Sequence, residues 1–300
     1  MIRFKTSPAL GFRHGLLRLS IAAVLMLLAA HALAIECEKP HHLRFAMVPQ
    51  DDLQKDIAAH QPLFDSLQAA TGLPVEVVMP SSYGAVVEGL LAGAIDLANL
   101  GPAAYLNAKK ADPRITAFAA TAKKKGAFQE EGAFYTSLLI VRRQGPYTAL
   151  ETLRGKKLAL VDPDSTSGAL IPRQEFSRHV QVPLGGYFSQ VGYTGSHDQS
   201  ALAVVNGRVD AAFVSSYLLT SLVEAGKASA GDFRVLWRSA RMPVNPYVYR
   251  GQLCASLKDK ISAVFLGQNG AGNKALLDNL KALRFVPISD GDYQILRDLP

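Results

Sequence analysis

Val161-Asp162-Pro163-Asp164-Ser165-Thr166-Ser167-Gly168-Ala169-Leu170-Ile171-Pro172-Arg173 carries the most informative turn of the sequence. It follows a short apolar strand, Lys157-Leu158-Ala159-Leu160-Val161, and it opens a helix. Pro163 fixes a backbone angle and ends strand pairing. Asp164, Ser165 and Thr166 are all favourable at a helix N-cap, and Gly168 permits close approach of the backbone to a ligand. The first amides of a helix lack intrahelical partners and carry partial positive charge. Three hydroxyls beside such amides make a neutral donor cup suited to a small oxyanion.

Working outward, the same strand-to-helix logic recurs. Leu43 to Val48 reads as a strand ended by Pro49, followed by helical spacing of Leu63, Leu67 and Ala70 up to Gly72. Val75 to Met79 is a second strand, Asp96 to Leu100 a third, and Ile115 to Ala120 a fourth. Near Ser137 the pattern restarts, with strands at Ser137–Arg142, Lys157–Val161, Phe188–Tyr193, Val209–Val214 and Phe233–Trp237. Tyr247-Val248-Tyr249 and a helix from Leu257 to Leu266 then read as a return to the first unit. Strands alternating with helices predict α/β architecture with mostly parallel sheets covered on both faces. A chain that enters a second unit once and comes back has two connections, the arrangement of a hinged ligand clamp. The expected division is 41–136 plus 241–300 for lobe 1 and 137–240 for lobe 2.

Residues 1–34 read as a cleaved secretory signal: Arg3, Lys5, Arg13 and Arg18 without an acid, an apolar run from Leu19 to Ala30, and Ala32-Leu33-Ala34 as an A-x-A site. The run is short for a membrane span, and the residues before Cys37 do not suit lipid attachment. Removal of 34 residues from 300 leaves 266, and loss of the four basic residues lowers the formal charge from +7 to +3. A mildly basic surface without a concentrated stripe argues against nucleic acid as partner. Cys37 and Cys254 are either one disulfide or free thiols. No Cys or His pair has metal-ligand spacing, so neither metal nor cofactor is expected.

Ligands of open α/β sheets sit beyond the carboxyl ends of the strands. Four such turns are rich in small or hydroxylated residues: Ser81-Ser82-Tyr83, Gly101-Pro102-Ala103-Ala104-Tyr105, Asp164-Ser165-Thr166-Ser167 and Thr194-Gly195-Ser196-His197-Asp198. These segments carry a resemblance. Tyr83-Gly84-Ala85-Val86-Val87-Glu88, Asp96 with Gly101 to Tyr105, Leu153-Arg154-Gly155-Lys156, Asp162 to Gly168 with Pro172-Arg173, Gly195 to Asp198, Asp210-Ala211-Ala212 and Ser289 to Tyr293 occur in an order similar to that of the phosphate/phosphite/phosphonate-binding proteins of bacterial ABC importers.

That resemblance spans the mature chain and implies a type II, Venus-flytrap fold of two α/β lobes joined by a two-crossing hinge. It implies a periplasmic substrate-binding component that holds a small phosphorus oxyanion between its lobes. By position it assigns Tyr83 and Tyr105 as hydroxyl donors, Ser165, Thr166 and Ser167 as the cup, and His197 and Asp198 as its rim. The implied partners are the permease and ATPase subunits of an importer, with the binding protein a monomer. Ser215-Ser216-Tyr217 stands where several relatives carry an acid, which removes one carboxylate able to hold an ammonium group. Asp198 would then accept a bond from a P–OH group, favouring phosphite or a small alkylphosphonate over an aminoalkyl one. Arg173 is read as a scaffold ion pair. A sensor that presents its ligand to a membrane receptor fits the same residues. A secreted hydrolase with Ser165 as nucleophile and His197 as base fits less well, since no G-x-S-x-G elbow surrounds Ser165.

Overall fold

The computed structural model describes residues 2, 37–49, 53–267 and 274–297. The signal-peptide reading of residues 1–34 therefore lies outside the described residues, Ile2 apart. The chain divides into Met1–Glu38 and Lys39–Pro300, and the fold below is that of the second part.

Apolar residues two apart set the first strands. β1 (Leu43–Met47) pairs in parallel with β2 (Val75–Val78) and with β3 (Leu97–Asn99). The intervening helices, α1 (Leu53–Thr71) and α2 (Tyr83–Leu91), make these βαβ units. After α3 (Pro102–Ala111) comes β4 (Thr116–Lys123). Here the sheet departs from the mostly parallel expectation. β12 (Pro246–Tyr249) inserts between β3 and β4, antiparallel to both, and β13 (Ala282–Pro287) pairs antiparallel to β4. The six-stranded order is β13-β4-β12-β3-β1-β2. β12 arrives from the other sheet rather than through a crossover helix, so nothing requires it to run parallel.

The second sheet is built from β6 (Ser137–Arg142), β7 (Lys157–Leu160), β8 (Gln190–Tyr193), β9 (Ala211–Ser215) and β10 (Phe233–Arg238), ordered β10-β6-β9-β7-β8. β7 is parallel to β8 and β9, whereas β6 is antiparallel to β9 and β10. The strand expected from Phe188 begins later, because Leu184–Tyr187 form a short helix before it. Between the sheets, β5 (Phe134–Tyr135) and β11 (Met242–Pro243) pair antiparallel with each other. The chain leaves the first sheet through β5 and returns to it through β11.

Side-chain alternation buries both faces of each sheet. Leu43, Phe45 and Leu97 join one cluster under α1 and a helix at Ala255–Gly267, while Ala46 and Ala98 face the other. In the second sheet Leu139 and Val141 face one side and Leu138 and Ile140 the opposite. The cluster on Ala46 and Ala98 continues through Tyr135, Met242 and Val244 at the crossings to Val161 and Ile171, so the two sheets share apolar packing beside the cup.

Asp96, fully buried, anchors the entry to β3. It accepts from the Arg44 amide (2.9 Å), Arg44 Nε (2.8 Å), Arg44 Nη2 (2.9 Å) and Arg250 Nε (2.8 Å). Burial alone would raise its carboxyl, but the bonds from Arg44 and Arg250 outweigh it and hold the group below its ordinary range. Neither cysteine is a free thiol. Among the described residues no helix is long and apolar enough to cross a membrane.

Candidate oxyanion site

The turn after β7 does not open an ordinary α-helix. Thr166–Leu170 and Pro172–Phe176 are π-helical, and Ser177–Val180 completes the run as α-helix. Pro172 has no N–H to give to Gly168, so the Gly168 carbonyl instead accepts from the Val161 amide at 3.1 Å. Ile171 bonds one residue further back than in an α-helix, to Thr166, which leaves the Ser167 carbonyl to Ser137 Oγ at 2.6 Å. Gly168 is explained by this packing rather than by ligand approach: a Cβ there would collide with the Val161 side chain and lie 2.8 Å from Ser165 Oγ. Arg173 donates to the Tyr193 hydroxyl and lies 5.5 Å from its ring, a different role from the expected ion pair.

Ser165 caps the run, its Oγ accepting from the Gly168 amide at 3.2 Å. Thr166 Oγ1 accepts from the Ala103 amide at 2.9 Å. That amide belongs to the first turn of α3, whose N-cap Gly101 has no side chain to offer, so a residue following β7 caps a helix following β3. A second bond joins the same two sides: the Tyr83 amide donates to Asp162 Oδ2 at 3.5 Å, while Asp162 Oδ1 accepts from the Asp164 amide at 2.9 Å. The Tyr83 hydroxyl hydrogen-bonds the Ser165 side chain, and burial holds it well above its ordinary pKa. Tyr135 behaves likewise, buried and hydrogen-bonded by the Thr166 and Ser167 side chains.

His197 opens α6 (His197–Val205), positioned by the Ser196 cap and by Gly195, whose φ of 89° favours glycine. Its Nδ1 accepts the Ser215 amide at 3.0 Å, and burial lowers its pKa to about 3. The ring is therefore neutral with its proton on Nε2, which makes it a donor. Such a ring cannot take a proton from Ser165 through Nε2, which removes the general base that the hydrolase reading needs.

These groups meet around a cavity of about 10 Å³ lined by Tyr83, Gly101, Tyr135, Ser165, Thr166, Ser167, His197, Ser215, Tyr217, Leu218 and Asn245. None is charged once His197 is neutral. Ser215 Oγ is buried and has no hydrogen-bond partner, a spare hydroxyl in the wall. The structure thus brings Tyr83, Ser165, Thr166, Ser167 and His197 together. Two expected residues lie elsewhere. Tyr105 is buried against Tyr293, ring centroids 5.2 Å apart, and its hydroxyl donates to Asp290 Oδ1 at 3.4 Å. Asp198 lines a separate, larger cavity of about 540 Å³ and pairs with Lys227 at 3.6 Å. Asp198 thus stands on the larger cavity toward Lys227, not among the residues that line the cup. Tyr135, Ser215 and Asn245 take places in the cup that sequence reading did not give them; the signal for Tyr135 was its position just before the pattern restarts at Ser137. Among the described residues no group of three or more His, Cys, Asp or Glu could hold a metal ion.

The model of a family described as "ABC transporter, phosphonate, periplasmic substrate-binding protein" matches residues 45–293. The phosphate-import protein PhnD of Mycolicibacterium smegmatis is 29% identical over 276 residues, 86% of this chain and 84% of that protein. The phosphonates-binding periplasmic protein of Escherichia coli is 27% identical over 268 residues, 87% of this chain and 77% of its own length. Among solved structures, a binding protein component of a Pseudomonas aeruginosa ABC phosphonate transporter superposes with a TM-score of 0.78 at 24% identity, covering 86% of this chain and 85% of that one. PhnD1 of Prochlorococcus marinus, in complex with methylphosphonate, gives 0.75 at 18% identity, covering 87% and 97%. These structural likenesses establish the two-unit periplasmic-binding-protein fold, and the family match runs from the first strand to the C-terminal turn. The chain belongs to the periplasmic substrate-binding proteins of phosphonate ABC transporters.

Proposed function

We propose that the cup formed by Tyr83, Tyr135, Ser165, Thr166, Ser167, His197 and Ser215 captures a small phosphorus oxyanion, namely phosphate, phosphite or a phosphonate. The observation that carries this reading is the convergence of neutral donors from both sheets on one uncharged cavity, with His197 locked as a donor. Hydrogen bonds to a charged group contribute about 1.5–3 kcal/mol each. Four or five of them, offset by ordering costs, suffice for micromolar affinity, about −8 kcal/mol. The named ligands of the relatives, phosphate and phosphonates, have this chemistry.

The two lobes would be 41–136 plus 241–300, and 137–240, with β5 and β11 as the hinge between them. Loaded protein would pass its anion to the permease and ATPase subunits of the importer, acting as a monomer in the periplasm after cleavage near Ala34. Calorimetric titration of the purified chain from Ile35 with phosphate, phosphite, methylphosphonate and sulfate tests the reading. Saturable one-to-one binding of at least one phosphorus anion is expected; a folded protein that binds none refutes it.

A further inference from the structure

The cup and the 540 Å³ cavity abut at three residues that line both, Tyr217, Leu218 and Asn245. Tyr217 belongs to α7 (Ser216–Glu224), the helix that starts where β9 ends. Its ring meets that of Tyr135 in the cup with centroids 5.4 Å apart, and Lys123 Nζ stands over it at 4.7 Å from the centroid. Lys123, on β4, lines the larger cavity and not the cup. An ammonium group thus lies across a single ring from the donors that face an anion.

Three acids of the larger cavity have bases beside them. Asp198 pairs with Lys227 at 3.6 Å, Glu224 with Lys281 at 3.5 Å, and Asp278 with Lys124 and Lys274. The fourth, Asp56, acts on the Tyr217 hydroxyl. Lys123 differs. Among the described residues no carboxylate pairs with it, and the Tyr217 ring is what faces its ammonium. Burial lowers its pKa to about 8, and no acid opposes that shift. His60 nearby is neutral, lowered to about 4 by burial foremost and by Lys123 besides. A ring offsets part of the cost of a half-buried cation but uses none of its three N–H donors in a conventional hydrogen bond.

We propose that the larger cavity seats a carboxylate carried by the ligand, with Lys123 as its partner. The chain would then take short carboxyalkyl phosphonates, phosphorus oxyanion in the cup and carboxylate beyond Tyr217, ahead of phosphonates with a neutral or amine tail. A carboxylate supplies the counter-charge that Lys123 lacks, whereas an ammonium tail meets a like charge there and acids already paired with lysines. This rests on the phosphorus-oxyanion reading and adds to it a second charged group on the ligand.

The test compares 3-phosphonopropionate, propylphosphonate and 2-aminoethylphosphonate, whose tails match in length and differ in charge. Calorimetry is run on the wild type, Lys123→Met and Lys123→Arg, with thermal melts to show that each is folded. The wild type should bind 3-phosphonopropionate about tenfold or more tighter than either other ligand, the effect of one charge-assisted hydrogen bond. Lys123→Met should bring 3-phosphonopropionate and propylphosphonate to within about threefold, and Lys123→Arg should keep the preference; Lys123→Gln stands in if the methionine variant does not fold. Propionate added to protein loaded with methylphosphonate should give no saturable binding; if it does, the cavity takes a separate acid and the single-ligand inference is overturned. A wild type without the preference, or a folded Lys123→Met or Lys123→Gln that retains it, also overturns the inference while leaving phosphonate binding intact. A folded wild type that binds no phosphorus anion at all overturns the proposed function, and this inference with it.

Discussion

Thr166→Val keeps the β-branch and nearly the volume of the residue but deletes a hydroxyl with two uses. The first is visible: its oxygen accepts the Ala103 amide at 2.9 Å, closing the first turn of α3 from the opposite side of the cleft. Ala103 is buried, so in the closed arrangement its amide would be left unpaired, at a cost of about 1–3 kcal/mol. Opening the cleft wets that amide and removes the cost, so the penalty falls mainly on closure. The second use is the hydroxyl proton, which would turn from the Tyr135 hydroxyl to an anion in the cup and contribute about 1.5–3 kcal/mol there. The two share one group and do not add fully. A combined loss of about 2–4 kcal/mol in binding is expected, a factor of roughly 30–1000 in Kd. Unfolding free energy should fall by only about 1 kcal/mol, the value of a neutral bond. Titration of the tightest phosphorus anion, with urea unfolding on the same preparations, measures both. Asp198→Asn serves as control, because Asp198 faces Lys227 in the larger cavity and its loss should change Kd less than about threefold. If Thr166→Val binds as tightly as the wild type, or loses as much stability as affinity, the hydroxyl is structural and the cup has been misassigned.

Three further perturbations follow from the same geometry. Gly168→Ala drives a methyl into Val161 and against Ser165 Oγ, so it should cost about 1–3 kcal/mol in stability and weaken anion binding at least about tenfold, read by urea unfolding and calorimetry. Asp96→Asn leaves Arg250 and Arg44 around a neutral amide; a loss of about 3–5 kcal/mol in unfolding free energy is expected, with anion affinity unchanged in the folded fraction. Acid should destabilise the fold from about pH 6.5 downward. Burial lowers His60 to about 4 and His197 to about 3, so below pH 6.5 the unfolded chain gains protons that the folded one refuses. Each histidine then removes about 1.4 kcal/mol per pH unit, and His197→Asn should flatten the slope of stability between pH 6.5 and 5 by about half. A slope unchanged in that variant would mean that His197 is not held neutral.

Much of the architecture was legible because it rests on local chemistry. Ser82 and Ser196, read as residues of strand-to-helix turns, each accept the amide three residues on, at 3.1 and 3.2 Å. The strand before the serine-rich turn also formed where its apolar run lay. Rotational phase was not legible. Ala103 points its amide at Thr166; Tyr105, two residues later, lies about 200° around the helix and packs on Tyr293 instead. Asp198 follows His197 by one residue, about 100° of turn, enough to carry it from the cup to Lys227. Tyr135, which joins Tyr83 in the cup, sits on a two-residue strand whose partner β11 lies more than a hundred residues away. No local pattern could supply that pairing, nor the antiparallel insertion of β12.

If the cup holds the proposed anion, the origin of its donors also accounts for release. Tyr83 and Gly101 come from the side of the first sheet, Tyr135 from a crossing strand, and Ser165, Thr166, Ser167, His197 and Ser215 from the second. An open cleft therefore offers an anion only part of the set, and in contact with water, where each bond competes with solvent. Closure would add the remaining donors together with the Ala103–Thr166 and Tyr83–Asp162 bonds, so that binding and closure would draw on the same contacts. Losing two charge-assisted bonds of about 1.5–3 kcal/mol each would weaken a micromolar site to between about 0.2 and about 20 mM. A membrane partner that separated the two sides would need to supply only that difference, since among the described residues no arginine or lysine lines the cup.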